Sequence, residues 1–325
     1  MSSAASFHQG IYKSALVRRV ANWLDAMPHP HVGIEISSDR VAGVRWTRSG
    51  SIDNFTVEPI PPGALIPSAV EANVVNPTAL NNAFSKVVGQ LRAKGQDAAL
   101  FLPDPVIRVF VQHFEEFPRS SEEAAPMLRW KLKKSVPFEA DETVISYMRQ
   151  PPRESGVDVV TALARQRIIR EYEGLAETAG LYPGVVLSSS LAAISLLDGD
   201  KSTLLARLSG LSLTTAIVRD SVLCGYRCTE LPAHSGDVTP QMLLEEIFPV
   251  AAYYQDTWGE AIGSVRVSGL GLRLPEFVQT LENEFHCPVR SLLANAVSDG
   301  RVASDARPLA DRETDGLVGW MLHRN

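Results

Sequence analysis

The stretch that decides the fold is residues 32–46, whose sequence is VGIEISSDRVAGVRW. Apolar and β-branched residues alternate on both sides of a Ser-Ser-Asp-Arg break, which is the pattern of two antiparallel strands joined by a tight turn. Successive backbone N–H groups in such a turn can bind an anion such as phosphate. We therefore predict a β-hairpin over these residues, with Glu35, Ser37 and Ser38 as candidate binding residues at its turn.

The composition is that of a globular chain, and its charge disfavours nucleic acid as a partner. The 325 residues are 45% hydrophobic and carry a formal net charge of −6, whereas nucleic-acid-binding domains usually carry a basic excess. No apolar run approaches the roughly 20 residues that cross a bilayer, and the N-terminus lacks a signal-peptide core. We predict a cytoplasmic protein. Cys224, Cys228 and Cys287 lack metal or redox spacing and are interpreted as buried thiols.

Residues 1–30 are interpreted as an N-terminal extension with an amphipathic helix at 11–27. Leu16, Val20 and Leu24 recur at helical spacing, and polar residues occupy the other faces. Trp23 and two arginines also suit a membrane interface. Packing against the chain's own domain and contact with lipid are both left open.

The pattern after the hairpin predicts a first subdomain of βββαβ type that is complete by about residue 103. It includes a strand at 52–60, a helix capped by Asn76, and a buried strand at 98–102. Residues 105–184 predict a compact insert with the element order β-α-β-β-α-β.

Several short motifs, taken in order, resemble the type IV pilus assembly protein PilM family, which is related to the cell-division protein FtsA. Leu128-Arg129-Trp130-Lys131 followed by Val136-Pro137-Phe138 resembles one passage of that family, and residues 176–183 resemble the next. Residues 268–275 resemble the family's Ser-Gly-Gly-Gly-Ala-x-Leu-Pro. The likeness extends from Val32 to His323.

This resemblance implies a two-lobed actin-like (ribonuclease H-like) α/β fold with a nucleotide cleft between the lobes. The first lobe would comprise residues 31–104 and 185–200, and the second would comprise residues 201–325. A strand hairpin at 203–229 would open the second lobe, followed by a long helix that starts at Thr239. The β-α-β-β-α-β subdomain of residues 105–184 stands where the family has its insert. Only a short loop separates Thr229 from Thr239, where the family usually has extra helices. The outer subdomain of the second lobe is therefore expected to be reduced.

The resemblance also shows where this chain departs from a nucleotide-binding pattern. In the first hairpin, Glu35 and Ser37 replace the family's Asp and Gly. In the second, Arg207 and Ser209 replace a carboxylate and a glycine. A third motif, which approaches the adenosine in the family, keeps Gly269 and Gly271.

These departures predict a degenerate nucleotide cleft without a metal site or catalytic residues. Carboxylates hold Mg²⁺ on the phosphates of such ATPases, whereas Arg207 is a permanent cation that repels Mg²⁺. Serine side chains also hinder the close backbone approach that glycine permits. We expect no cofactor, or weakly bound ATP. The simpler interpretations are a structural ion pair between Glu35 and Arg207, an ordinary turn at Ser37 and Ser38, and glycines that serve packing.

The resemblance implies a scaffold of the inner-membrane platform of a type IV pilus or a related type II secretion system. Such a scaffold is peripheral at the membrane through its partners and binds the cytoplasmic N-terminus of a bitopic PilN-like protein. The peptide is expected in a groove between the first subdomain and the insert, where an extended chain gains main-chain hydrogen bonds. Other platform proteins are further expected partners, and self-association is left open. The alternatives are an ATPase that switches assembly of the pilus machine and an FtsA-like division protein.

Overall fold

The computed structural model describes residues 30–47, 51–139, 142–153, 155–197, 201–232, 234, 236–298, 300, 306–310 and 314–322. The helix predicted at 11–27 lies outside these residues. The described residues form two five-stranded sheets and one three-stranded sheet. None of their helices is both long and apolar enough to span a bilayer.

The strands alternate with helices along most of the chain. The strands are β1 (Val32–Ile36), β2 (Arg40–Trp46), β3 (Ile52–Pro59), β4 (Asp97–Leu102), β5 (Arg108–Phe114), β6 (Thr143–Pro152), β7 (Val157–Arg165), β8 (Tyr182–Ser188), β9 (Thr203–Ser209), β10 (Ser212–Arg219), β11 (Val222–Glu230), β12 (Ser264–Ser268) and β13 (Val289–Ser291). The helices are α1 (Pro77–Leu91), α2 (Ser121–Leu132), α3 (Gln166–Thr178), α4 (Ser189–Ala193), α5 (Pro240–Trp258), α6 (Leu274–Phe285), α7 (Leu292–Ser298), α8 (Arg307–Ala310) and α9 (Asp315–Leu322).

Both lobes are built on the same strand order. The first sheet has the order β3-β2-β1-β4-β8, and the second has the order β11-β10-β9-β12-β13. In each, the first three strands form an antiparallel meander and the last two run parallel to the innermost strand. The hairpin of residues 32–46 is confirmed as β1 and β2, with Val32 opposite Arg45.

Local sequence explains where the main helices begin. The Asn76 side chain accepts a hydrogen bond from the Ala79 N–H at 3.0 Å, and Thr239 accepts one from Met242 at 3.2 Å. Pro77 and Pro240 follow these caps at the first helical position, where a missing N–H costs nothing.

Successive side chains of β9 point to opposite faces of the sheet and pack into two different core clusters. Leu204, Ala206 and Leu208 belong to a core cluster that also contains residues of α5 and α6. Leu205 lies on the opposite face and belongs to the core cluster of the first lobe. The next side chain on that face is Arg207, which the strand therefore directs toward the first lobe.

The insert is smaller than the β-α-β-β-α-β unit predicted for residues 105–184. Its sheet contains only β5, β7 and β6, whereas β8 pairs in parallel with β4 in the first lobe. Helix α3 belongs with β8, because Ile168, Tyr172 and Leu175 are part of the first-lobe core. The prediction was wrong at this boundary, since its last helix and strand are a crossover of the first lobe.

The second lobe also ends earlier than the predicted boundary at residue 325. Helix α9 packs on α4 and on β1 of the first lobe, and the Trp320 ring lies 5.7 Å from that of Phe101 in β4. Its apolar residues lie on the first-lobe core. The chain therefore returns to the first lobe at α9. Between β11 and α5, the described residues of 231–239 form no helix or strand, as expected for a reduced outer subdomain.

Candidate functional site

The cleft between the lobes is centred on the guanidinium of Arg207. Its Nη2 lies 2.9 Å from Oε1 of Glu35, Nη1 lies 3.2 Å from Oδ2 of Asp104, and Nε lies 3.2 Å from Oδ2 of Asp315. All four side chains are at most 5% exposed. We call these four residues the arginine cluster. The ion pair between Glu35 and Arg207 is thus present, and it has two further members.

Each carboxylate of the arginine cluster comes from a different element of the first lobe. Glu35 stands on β1, Asp104 on the turn between β4 and β5, and Asp315 at the first position of α9. Arg207 stands on β9 of the second lobe. A single side chain therefore joins three elements of one lobe to the central strand of the other.

Neutral donors surround the Asp104 carboxylate on its remaining sides. Thr214 Oγ1 donates to Oδ2 at 2.8 Å, and the Ser190 N–H donates to Oδ1 at 2.9 Å. The hydroxyls of Ser188 and Ser190 also donate to this carboxylate. Hydrogen bonds of this kind stabilise an ionised carboxylate in a buried place.

Glu35 lies at the N-terminus of α9. Its Oε2 accepts the Leu317 N–H at 3.1 Å, and a Cβ on Gly316 would stand only 3.2 Å from the carboxylate. Burial raises the pKa of Glu35, and the charge of Arg207 opposes that rise while Asp315 adds to it. Burial alone would lower the pKa of Arg207, but the three carboxylates outweigh it and the pKa lies above its ordinary value.

Asp315 is the least satisfied member of the arginine cluster. Its Oδ2 accepts hydrogen bonds from Ser268 and from Arg207, while its buried Oδ1 has no hydrogen-bond partner among the described residues. Arg40 and Asp39 also line this part of the cleft, so its carboxylates outnumber its guanidinium groups. Such a site disfavours a polyphosphate.

The turns of the two hairpins approach each other at the mouth of this cluster. A Cβ on Gly210 would lie 2.6 Å from Oγ of Ser38. The space left beside them has a volume of about 70 Å³ and is lined by Ser38, Arg207, Ser209, Gly269 and Asp315, among others. Cavities that hold drug-sized ligands usually measure about 300–1,000 Å³. The space directly beside the arginine cluster is therefore too small to hold a nucleotide.

The remaining predicted residues have structural contacts. The Ser37 N–H donates to the Arg40 carbonyl at 2.9 Å, within the hairpin. Gly269 has φ +86°, and a Cβ there would stand 2.0 Å from the Leu208 carbonyl oxygen, so glycine allows β12 to approach β9. Gly271 begins the 3₁₀ turn Gly271–Arg273 and does not line the small cavity. The described residues contain no group of three or more His, Cys, Asp or Glu suited to a metal ion.

Sequence reasoning missed Asp104 and Asp315. Asp104 lies two residues after the end of the buried strand β4, and the carboxyl ends of parallel strands share one edge of a sheet. That position was a usable signal. Asp315 precedes the apolar stretch of α9, and a local pattern of this kind predicts a helix start but no partner across the cleft.

A larger cavity of about 850 Å³ opens beside the hairpin turns. Residues 60–75 of the first lobe form one wall, Pro105 and Arg108 at the start of the insert form another, and residues 209–212 and 228–230 of the second lobe complete it. Ile66, Val75 and Leu211 face it and are 52–57% exposed. We call this cavity the interlobe groove.

The cysteines are reduced and partly buried. Burial raises the pKa of Cys224 and of Cys228 to about 12, so both thiols are protonated at neutral pH and are weak nucleophiles.

Comparisons with known proteins identify the fold. No protein-family model matches the sequence, and no curated protein matches it. A chain of the PilM-PilN type IV pilus biogenesis complex superimposes with a TM-score of 0.71 at 17% identity, over 91% of this chain and 99% of that one. The cytoplasmic domain of EpsL, an inner-membrane component of the type II secretion system of Vibrio cholerae, gives 0.45 at 11%, over 73% and 80%. A Bacteroides thetaiotaomicron protein of actin-like ATPase fold and unknown function gives 0.47 at 10%, over 82% and 92%.

The first of these likenesses confirms the predicted fold and the resemblance to PilM in its architecture. The chain has the two-lobed actin-like fold. Because the identity is 17%, the likeness carries the fold and leaves the function to be argued from the site.

Proposed function

We propose that this protein is a scaffold of the inner-membrane assembly platform of a type IV pilus or a related type II secretion system. It binds the cytoplasmic N-terminal segment of a PilN-like membrane protein and does not hydrolyse ATP. The observation that carries the proposal is Arg207, which is buried between the two lobes and paired there to three carboxylates of the first lobe. The fold shared with a chain of the PilM-PilN complex supports the class of partner.

The interlobe groove is the site that we assign to the partner segment. The predicted position lay between the first subdomain and the insert, and the groove adds the second-lobe hairpin as a further wall. Its apolar rim residues Ile66, Val75 and Leu211 suit the side chains of an extended apolar peptide. Both lobes line the groove, so its shape depends on how the lobes are held together. The arginine cluster holds them together without a nucleotide, and the groove is therefore present in the nucleotide-free protein.

The peptide test uses the cytoplasmic N-terminal segment of a PilN-like bitopic membrane protein from the same genome. We expect the labelled peptide to bind the full chain in fluorescence anisotropy, and Val75→Asp or Leu211→Asp to weaken binding at least about tenfold, since a charge replaces apolar contact. The matched control is Leu272→Asp, because Leu272 is 99% exposed and lies outside the groove. Absence of binding, or equal loss in all three variants, would contradict the proposal.

The nucleotide test is calorimetry with Mg-ATP, together with a phosphate-release assay. We expect no heat of binding and no release of phosphate, because Arg207 already pairs the carboxylates that would hold Mg²⁺ and these carboxylates repel the phosphates. A clear binding heat with phosphate release would instead support an ATPase that switches assembly. We further propose that the chain lies on the cytoplasmic side of the inner membrane, held there by its partners.

A further inference from the structure

We propose that the C-terminal end of α2 contacts the surface of an anionic lipid bilayer. The contact consists of Trp130, Lys131, Lys133 and Lys134, which we call the basic patch. This inference goes beyond the proposed function, because it concerns another face of the insert and requires no peptide partner.

Exposure of a tryptophan is the first observation. Trp130 is 80% exposed, on a helix whose buried residues are Ala124, Leu128 and Leu132. The helical period places Trp130 on the face opposite these three residues. The Arg129 guanidinium donates a hydrogen bond to the Thr143 carbonyl, so the start of β6 lies beside this helix. The next residue of β6, Val144, is 41% exposed. Trp130 and Val144 therefore expose apolar surface to solvent on the side of the helix that does not pack into the core.

Concentrated positive charge is the second observation. Between Glu123 and Glu139 the chain has four basic residues and no acidic one, although its net charge is −6. Lys133 is 60% exposed, and its ion pair with Glu139 is long at 4.0 Å. Lys134 is exposed, and Lys131 lies 3.8 Å from the Phe114 ring centroid, at the flank of the patch. Arg129 is excluded from the patch because its guanidinium donates to Thr143.

Helix electrostatics accounts for only part of this arrangement. Acidic residues at the first turn and basic residues at the last turn both stabilise a helix through its dipole, as Glu122, Glu123 and Lys131 do here. The dipole gives no reason for an exposed indole among the lysines. Tryptophan and lysine together are typical of a membrane interface, where the ring lies at the headgroups and each lysine is attracted to an anionic surface.

The test is co-sedimentation of the full chain with vesicles. Vesicles of phosphatidylcholine mixed with phosphatidylglycerol are compared with vesicles of phosphatidylcholine alone. We expect binding to the anionic vesicles that falls as salt is raised. The variant with Lys131→Gln, Lys133→Gln and Lys134→Gln should bind at least about tenfold less, and Trp130→Ala several-fold less.

The matched control carries Lys86→Gln, Lys94→Gln and Lys201→Gln, which remove the same charge from exposed lysines elsewhere and should bind like the wild type. Any lipid contact of residues 11–27 is the same in all of these proteins, so the difference between the two triple variants isolates the patch. Equal binding of the two triple variants would overturn the proposal. So would a failure of the wild type to bind anionic vesicles, which would instead direct the search toward an acidic protein partner.

Discussion

At Arg207, one guanidinium is the positive centre of the cleft between the lobes. It contacts the carboxylates of Glu35, Asp104 and Asp315, which come from three different elements of the first lobe. The desolvation cost of burying these charges is offset only because each carboxylate also accepts a second, neutral hydrogen bond. The cluster is therefore highly sensitive to the loss of its cation.

Removal of the cation should be strongly destabilising. We expect Arg207→Ala to lower the free energy of unfolding by about 3–5 kcal/mol, because it leaves three buried carboxylates without a counter-charge. The measurement is urea denaturation at neutral pH. Arg170→Ala is the control: Arg170 is 67% exposed and pairs with Glu173 on one helix, so it should cost less than about 1 kcal/mol. A loss of similar size in both variants would contradict this role of the cluster.

The pKa of Glu35 predicts a pH dependence of a definite sign. Burial raises this pKa from its ordinary value of 4.5, so the folded state holds the proton more tightly than the unfolded state. The stabilisation by Glu35 is therefore greatest below pH 4.5 and decreases as pH rises through the folded-state pKa. Glu35→Gln cannot titrate. In urea denaturation at a series of pH values, the free energy of unfolding of the wild type minus that of the variant should decrease as pH rises. An increase with pH would contradict a raised pKa of Glu35.

At the scale of elements, the two central hairpins and β12 meet over very short distances. Gly210 faces Ser38 across the hairpin turns, and Gly269 sits against the Leu208 carbonyl where β12 approaches β9. Gly210 leaves room for the Ser38 side chain, and Gly269 leaves room for the Leu208 carbonyl. About 70 Å³ remains between the turns.

Gly269 should be needed for packing of its strand, whether or not any nucleotide binds. Gly269→Ala adds a Cβ that would lie 2.0 Å from the Leu208 carbonyl oxygen, so we expect a loss of at least about 2 kcal/mol beyond the cost of the positive φ. Gly259→Ala is the matched control, because Gly259 has φ +68° and a Cβ there would meet nothing within 4 Å. Thermal unfolding of the two variants separates the cost of the steric contact from the cost of a positive φ, because both glycines have a positive φ and only Gly269 has the contact. Equal melting temperatures would contradict the close approach.

At the scale of the whole molecule, the lobes are joined by more than the arginine cluster. Leu205, Ala216 and Val218 of the second lobe belong to the core cluster of the first, and α9 packs on α4 and β1. The insert also contacts the second lobe, since the Gln150 amide bonds both the N–H and the carbonyl of Leu223 at 2.7 and 2.8 Å. These contacts favour one closed arrangement, which suits a scaffold.

A tryptophan at the end of α5 connects the insert to the second lobe. The guanidinium of Arg153, between β6 and β7, lies 3.8 Å from the Trp258 ring centroid, and that of Arg219 lies 4.6 Å from it. We expect Trp258→Ala to speed amide hydrogen exchange in the β6–β7 turn several-fold, because each cation–π contact contributes about 0.5–2 kcal/mol. Tyr253→Ala, on the same helix and 72% exposed, should leave that exchange unchanged. Unchanged exchange in both would contradict the connection.

Sequence reasoning was most successful where a local period encodes the element. The alternation in residues 32–46 predicted the first hairpin, and Asn76 marked a helix start that the structure has. The second hairpin and the helix after Thr239 were expected from the family resemblance, and the structure has both. It failed at β8 and α9. Both segments have the pattern of their element, but which sheet a strand joins or which lobe a helix covers depends on surfaces far away in the chain.

The sequence by itself determined the element order, the repeated hairpins and the substitution of Arg207 into an acidic position. Only the tertiary structure decided what Arg207 does, because its partners Glu35, Asp104 and Asp315 lie 172, 103 and 108 positions away. No local periodicity links residues at such separations. Their meeting follows from the packing of two lobes and a returning helix, and in that packing the buried cation holds its three carboxylates across the cleft.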